Sequence, residues 1–177
     1  MAKRISTKKI FQKGRFLLKD VNIELKNGKK VTFQFWDKAD SAMIVPVLDN
    51  GDVIFIREYQ AAFDTSMLSL PKGRIEKNEV SMEVANKELQ EEIGYKANSL
   101  EKLAAVTIGP GYISGKTHIY LARDLVESRL EGDEVWEIST IKHPLKNFEK
   151  LIDKGELTEA RMITALYEAR RFLESNS

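Results

Sequence analysis

The chain of 177 residues contains no cysteine and only two histidines, His118 and His143. Without cysteine, neither a disulfide framework nor a thiolate zinc site can form, and two histidines are too few for a histidine metal cage. Any metal site must therefore be built from carboxylates. The length fits one domain, residues 1–177, which can bury a core without cross-links.

The sequence also lacks a large excess of one charge and a long apolar run. There are 28 lysines and arginines against 27 aspartates and glutamates, a balance that argues against nucleic acid or an acidic membrane as a general partner. No run of about 18 apolar residues predicts a membrane span, and the basic start lacks the apolar centre of a secretory signal. We therefore expect a cytoplasmic protein that neutralises any anionic substrate locally.

Apolar and polar residues alternate over 21–25 and again over 31–35, on either side of the turn-forming pair Asn27-Gly28. This pattern predicts an antiparallel hairpin. We interpret residues 1–38 as an N-terminal strand arm and residues 39–177 as the core. The basic residues before the hairpin are interpreted as a solvated terminus rather than a nucleic-acid arm.

Two apolar runs, 42–48 and 53–56, predict a second hairpin with strands buried on both faces. A helix is then predicted after Ser81, which can cap it, and Gly94 ends it. The remaining segments are strands at 103–108, 117–122 and 136–141 and helices at 148–154 and 158–174. Together they predict an α+β fold, an α/β/α sandwich on a mixed β-sheet that carries the hairpin as an N-terminal arm.

Carboxylates are most densely placed in residues 73–95, GRIEKNEVSMEVANKELQEEIGY. Glu88, Glu91 and Glu92 fall within one sector of the predicted helix, beside its apolar stripe. Such like charges repel one another unless cations lie among them, and clustered oxygen ligands favour Mg²⁺ or Mn²⁺. Glutamate-rich helix faces are usually solvated surface. The fixed distances of these glutamates from the flanking glycines argue against that interpretation here.

This segment resembles the signature of the Nudix hydrolase family, a glycine and a set of glutamates at constant spacing. The matching residues are Gly73, Glu79, Glu88, Leu89, Glu91, Glu92 and Gly94. Lys87 stands where the family has arginine, and Tyr95 where it has an aliphatic residue. The resemblance implies the Nudix fold and a pyrophosphohydrolase that cleaves nucleoside diphosphates linked to another group, with Mg²⁺ or alternatively Mn²⁺ as cofactor.

The resemblance also implies the metal ligands and the catalytic base. The ligands are Glu88, Glu92 and Glu91 with the backbone carbonyl of Lys72. In related ADP-ribose pyrophosphatases, a glutamate from a loop after the signature activates the attacking water. The acidic loop of this chain is 127–137, ESRLEGDEVWE.

Within that loop, Glu134 is the first candidate for the general base, followed by Glu131 and then Glu137. Glu91 is a further catalytic candidate within the signature. A plain solvated turn is the alternative interpretation of the loop.

Three further segments resemble the Nudix branch that hydrolyses ADP-ribose and other ADP compounds. They are Ile56-Arg57-Glu58-Tyr59, Pro110-Gly111-Tyr112-Ile113-Ser114 and Glu159-Ala160-Arg161. The chain departs from ADP-ribose-specific members at Gln60 and in the lead to the signature, Ser69-Leu70-Pro71-Lys72-Gly73. The resemblance is therefore to the bacterial ADP-compounds hydrolase type, which accepts ADP-ribose, NADH and short diadenosine polyphosphates.

Arg57 and Tyr112 are the candidate substrate-binding residues. A guanidinium at a strand end can pair with two phosphate oxygens, although an ion pair of Arg57 with Glu58 or another neighbour is nearly as plausible. Tyr112, or Phe63 in its place, could stack on adenine, whereas simple packing is the alternative.

The predicted N-terminal hairpin would expose an apolar edge on a monomer, and in this branch such arms pair across a dimer. We therefore expect a homodimer that binds a small nucleotide substrate. Two alternatives to the proposed enzyme stay open: a Nudix module that binds nucleotides without cleaving them, and a Nudix enzyme of another specificity.

Overall fold

The computed structural model describes residues 2–132, 135 and 137–176. The chain divides into two compact units, Met1–Asp40 with Thr107–Lys116 and Ser41–Val106 with Thr117–Ser177. The division after Asp40 lies close to the boundary expected at residue 38. That the whole chain forms a single domain stays a prediction.

The strands are β1 (Lys3–Lys13), β2 (Phe16–Glu24), β3 (Lys30–Trp36), β4 (Ser41–Pro46), β5 (Asp52–Gln60), β6 (Thr65–Ser69), β7 (Lys72–Arg74), β8 (Tyr95–Thr107), β9 (Lys116–Glu127) and β10 (Ser139–Pro144). The helices are α1 (Ser81–Glu88), α2 (Glu149–Asp153) and α3 (Ala160–Ser175), with a π-helical segment (Leu89–Ile93) and a 3₁₀ turn (Leu145–Asn147). No helix in the described part of the chain combines the length and apolar character needed to cross a membrane.

The first unit contains a three-stranded antiparallel sheet in the order β1-β2-β3. Val21 of β2 pairs with Phe33 of β3, which confirms the predicted N-terminal hairpin. The basic start, expected to be a solvated terminus, forms a strand that was not predicted from the sequence. Its lysines lie along a strand that is exposed throughout, so they keep their solvation while the backbone pairs with β2.

The second unit contains two sheets, β7-β4-β9-β8 and β10-β5-β6. β4 runs parallel to β9 and antiparallel to β7, so its sheet is mixed as predicted. The predicted hairpin of β4 and β5 is wrong, because the two strands meet only at the bridge between Val47 and Val53 and then enter different sheets. Both strands are buried as expected, and each finds its partners elsewhere in the chain.

The core has two layers, one on each face of the strands. Met43 and Val45 of β4 pack in a cluster that includes buried residues of α2 and α3. The alternate residues Ala42 and Ile44 pack in a second cluster with buried residues of α1 and the π-helical segment. Helices therefore cover both faces, which confirms the predicted α/β/α arrangement.

The signature helix differs locally from its prediction. Ser81 is the first residue of the helix rather than its cap, because the N-cap position is Val80, which makes no side-chain capping hydrogen bond. The Ser81 hydroxyl lies 2.6 Å from the Tyr120 hydroxyl of β9 instead. At the other end, Gly94 stops the helix as predicted, with a left-handed φ of 75° that favours glycine.

The later predictions agree with the structure except in one boundary. The strands expected at 103–108 and 117–122 lie within β8 and β9, and the two terminal helices are α2 and α3. The strand expected to begin at Trp136 begins in the structure at Ser139, and Trp136 itself lies outside the described residues.

Candidate active site

Glu92 is the most buried carboxylate of the signature, with only 3% of the residue exposed. It lies on the π-helical segment and accepts a hydrogen bond of 3.0 Å from the backbone N–H of Lys72. Lys72 belongs to β7, which is aligned by pairing with β4 through Met43. The sheet and the helix thus hold the start of the signature against its last turn.

Burial raises the pKa of Glu92 to about 9. The nearby charges of Glu88 and Glu58 act in the same direction, whereas the charge and the backbone N–H of Lys72 favour the ionised form. Without a further cation, this carboxyl group is therefore neutral at pH 7. A bound cation would stabilise the ionised form of this carboxyl group, so the position is suited to bind one.

Gly73 provides the space that Glu88 occupies. A Cβ atom added to Gly73 would lie 1.7 Å from Oε1 of Glu88, closer than any real contact. The glycine is required by this close approach rather than by its backbone angles. Consequently the Glu88 carboxylate lies directly against the backbone that follows Lys72.

Glu58 joins this group, although the sequence analysis considered it only as a partner for Arg57. Its carboxylate forms an ion pair with the Lys72 ammonium, and its side chain is 13% exposed. The alternation of side chains along β5 could have identified this position. Ile54 and Ile56 face the cluster that contains the signature helix. Glu58 is two residues further along the same face.

Glu91 takes a different partner. Its carboxylate lies 3.1 Å from the ammonium of Lys87, one helical turn earlier, and its side chain is 12% exposed. Lys87 therefore meets Glu91 with a compact ammonium where the family's arginine would offer a planar fork. Glu79 has a loop role, since its carboxylate accepts a 2.7 Å hydrogen bond from the backbone of Glu76.

The candidate substrate-binding residues lie in different units. Arg57 is in the second unit, where its guanidinium lies 3.8 Å from the Glu156 carboxylate in a half-exposed ion pair. Tyr112 is in the first unit, is 64% exposed, and accepts a hydrogen bond from the backbone of Trp36 through its own carbonyl. The ring of Tyr112 packs over Gly109.

The candidates for the general base are described only in part. Glu131 and Glu137 are exposed, whereas Glu134, the first choice, lies outside the described residues. The assignment of the base within this loop stays a prediction.

The donor chemistry of the site fits a hard divalent cation. Glu58 and Glu88 lie close enough to the buried Glu92 to influence its pKa, and carboxylate oxygens are the ligands that Mg²⁺ prefers. Over the described ranges, no three acidic, histidine or cysteine side chains form a ready-made metal cage. In this structure the positive charge that faces Glu58 is the Lys72 ammonium.

A NUDIX domain model matches residues 37–166. The chain belongs to the Nudix family. It is 34% identical to the ADP compounds hydrolase NudE of Escherichia coli (strain K12), over 90% of this chain and 86% of that protein. It is 28% identical to an ADP-ribose pyrophosphatase of Bacillus subtilis (strain 168), over 93% of this chain and 90% of that protein.

The fold comparison agrees with these relatives. A crystal structure of ADP compounds hydrolase matches 99% of this chain and 96% of its own, with a TM-score of 0.90 and 31% identity. The family, the branch and the Nudix fold predicted from the signature are thus confirmed. The chain is a Nudix hydrolase of the branch whose members act on ADP-linked compounds.

Proposed function

We propose that this Nudix hydrolase cleaves the diphosphate bond of ADP-linked compounds and releases AMP. ADP-ribose, NADH and short diadenosine polyphosphates are the proposed substrates, and Mg²⁺ is the proposed cofactor, with Mn²⁺ as an alternative. The identity to an ADP compounds hydrolase over 90% of the chain supports the substrate class.

One observation carries the proposal for the chemistry. The buried Glu92 is held against the backbone of Lys72, with Glu88 over Gly73 and Glu58 alongside. Because burial and the charges of Glu88 and Glu58 disfavour ionisation of Glu92, a bound cation would stabilise this group of carboxylates. A site of this kind serves an anionic substrate that reaches it together with a metal.

In this proposal Glu88, Glu92 and Glu91, with the Lys72 carbonyl, hold the cation. When bound there, Mg²⁺ would supply positive charge to the diphosphate oxygens and would lower the pKa of a nearby water. Glu134 then accepts the proton of the attacking water, and Glu131 or Glu137 are the alternatives.

Two further residues orient the substrate. Arg57 leaves Glu156 and contacts a phosphate oxygen. Breaking their half-exposed ion pair, in which the charged groups are 3.8 Å apart, costs little free energy. Tyr112 stacks on the adenine through its exposed ring.

The test is a panel of ADP-ribose, NADH and diadenosine polyphosphates scored by AMP release. Wild type with Mg²⁺ should release AMP from at least one of them, and excess EDTA should abolish release. Glu92→Gln should lower turnover by more than roughly a hundredfold, beyond the loss typical of outer-shell partners of a metal. A wild-type protein that releases no AMP from any substrate would disprove the proposal.

The proposed base is tested separately by replacing each loop glutamate with glutamine. Glu134→Gln should lower kcat strongly while leaving Mn²⁺ binding unchanged, because a base does not hold the metal. Glu131→Gln and Glu137→Gln are matched controls that remove the same charge from the same loop. If one of these controls shows the larger loss of kcat, the base is assigned to that residue instead.

We further propose a cytoplasmic homodimer that forms through the strands of the first unit. Its support is the row of large apolar side chains that these strands expose, among them Phe11 and Phe33, each half exposed.

A further inference from the structure

Lys72 connects the buried carboxylates with a neighbouring cavity. Its backbone N–H donates to Glu92, and its ammonium forms an ion pair with Glu58. The Lys72 side chain is 25% exposed, so it is neither locked in the interior nor free in solvent. Lys72 therefore contacts the buried carboxylates and also lies at the boundary between them and solvent.

The cavity has a volume of about 210 Å³ and is lined by Lys72 together with Gln60, Phe63 and Arg161. Arg161 is already balanced, because its guanidinium donates a 2.7 Å hydrogen bond to the Glu159 carboxylate. A space of this size admits a phosphoryl group with part of its substituent. An ammonium turned towards it would supply the charge that a phosphate oxygen requires.

Binding of a divalent cation would change the electrostatic environment of the Lys72 ammonium. This ammonium forms an ion pair with Glu58, and its charge favours the ionised form of Glu92. A divalent cation held by Glu88 and Glu92 would repel the Lys72 ammonium, which lies close enough to Glu92 to influence its pKa. A lysine side chain is flexible enough to exchange one partner for another.

We propose that the Lys72 ammonium competes with the divalent cation for these carboxylates and turns into the adjoining cavity to bind a substrate phosphate oxygen. This inference rests on the proposed function, since it assumes a metal-dependent reaction on a diphosphate. It makes the Lys72 side chain a substrate-binding residue as well as an internal counter-ion. Removing the Lys72 charge should therefore strengthen cation binding and weaken substrate binding.

The experiment compares Lys72→Met with wild type in two measurements. Mn²⁺ binding without nucleotide, followed by electron paramagnetic resonance, should become about three- to tenfold tighter, because a competing charge is gone. The KM for ADP-ribose with Mg²⁺ should rise about tenfold, because a charge-assisted contact is lost, with a smaller change in kcat. Lys72→Arg keeps the charge and should return both values towards wild type.

Lys77→Met is the matched control, since Lys77 is an exposed lysine of the loop that follows β7 and its replacement removes the same charge. It should leave Mn²⁺ affinity and KM within about twofold of wild type, as expected for a solvent-screened charge. Circular dichroism checks that each variant is folded, and Lys72→Gln, which keeps a polar side chain, replaces Lys72→Met if that variant unfolds.

Opposite shifts in Mn²⁺ affinity and KM support the inference, because a merely structural lysine would weaken both. Unchanged or weaker Mn²⁺ binding by the Lys72 variant, or an unchanged KM, would overturn it while the proposed function stands. A wild-type protein that neither binds Mn²⁺ nor releases AMP would instead overturn the proposed function, and this inference with it.

Discussion

At the residue scale, the site depends on how closely side chains and backbone approach. Glu92 is buried against the Lys72 backbone, and Glu88 fills the space left by Gly73. The sequence predicted Glu88 and Glu92, because their spacing matches a known signature. Glu58 was missed because it stands outside that signature and joins the group only through strand alternation and packing.

The raised pKa of Glu92 predicts how stability depends on pH in metal-free protein. The folded pKa of about 9 lies above the ordinary value of 4.5, so the contribution of Glu92 is favourable at low pH and is lost as pH rises between these values. The wild-type free energy of unfolding should decline by up to about 1.4 kcal/mol per pH unit in this window.

The glutamine of Glu92→Gln cannot ionise, so this variant should lack the decline with pH. Its free energy of unfolding should therefore rise relative to that of wild type by about 1–3 kcal/mol between pH 6 and pH 8. Urea unfolding in EDTA at several pH values measures the difference. Parallel pH profiles for the two proteins would show that Glu92 does not titrate in this way.

Gly73→Ala should damage both stability and activity, because its Cβ would collide with the Glu88 carboxylate. Overpacking of this kind costs about 1–3 kcal/mol, and moving Glu88 should lower AMP release. Gly111→Ala is the control, since a Cβ atom there would meet nothing within 4 Å. Equal thermal stability of the two variants would argue against the close approach.

At the element scale, the signature joins a short α-helix to a π-helical segment that carries Glu91 and Glu92. Its alignment also depends on β9, where the Tyr120 hydroxyl meets Ser81. π-helical turns are rare and occur often at functional sites. A helical pattern in a sequence gives no sign of one, because an extra residue in one turn hardly changes the apolar periodicity.

The contact between Ser81 and Tyr120 should stabilise the start of this helix. Tyr120 is 1% exposed, so Ser81→Ala leaves a buried hydroxyl without its partner and should cost about 1–3 kcal/mol in unfolding free energy. The double variant Ser81→Ala, Tyr120→Phe should recover part of this loss, because neither polar group then remains. Additive losses in denaturant unfolding would mean that the two hydroxyls do not interact.

Local elements could be predicted from the sequence, whereas strand partners could not. The β2–β3 hairpin was found because alternation and a short turn are both local signals. β4 and β5 carry the same signals but separate into two sheets, because β4 pairs with β9 and β5 with β10, and both partners lie far along the chain. β1 was missed because its lysine-rich sequence is typical of a solvated end.

At the scale of the whole molecule, the chain has a first unit built on a three-stranded antiparallel sheet and a second unit that contains the signature. Ile5, Ile10, Phe11, Phe16 and Phe33 in these strands are each at least 43% exposed. Apolar side chains at this density on a sheet are typical of an interface. The sequence predicted an exposed apolar edge on the hairpin that contains Phe33, whereas Ile5, Ile10 and Phe11 lie on β1, which was not predicted.

Light scattering at micromolar concentration should give the mass of two 20.2 kDa chains for wild type. Phe33→Glu should shift the mass to one chain, because it places a charge on the proposed interface. Val126→Glu, at a 44% exposed valine of the second unit, is the control and should stay dimeric. A single-chain mass for wild type would contradict the dimer.

The π-helical segment also limits how this family member can change. The backbone N–H of Gly94 reaches back to the carbonyl of Leu89, five residues earlier. Losing a single codon within this stretch would restore an ordinary α-helical turn while rotating every later side chain about the axis. Insertions and deletions within this stretch are therefore expected to be eliminated by selection.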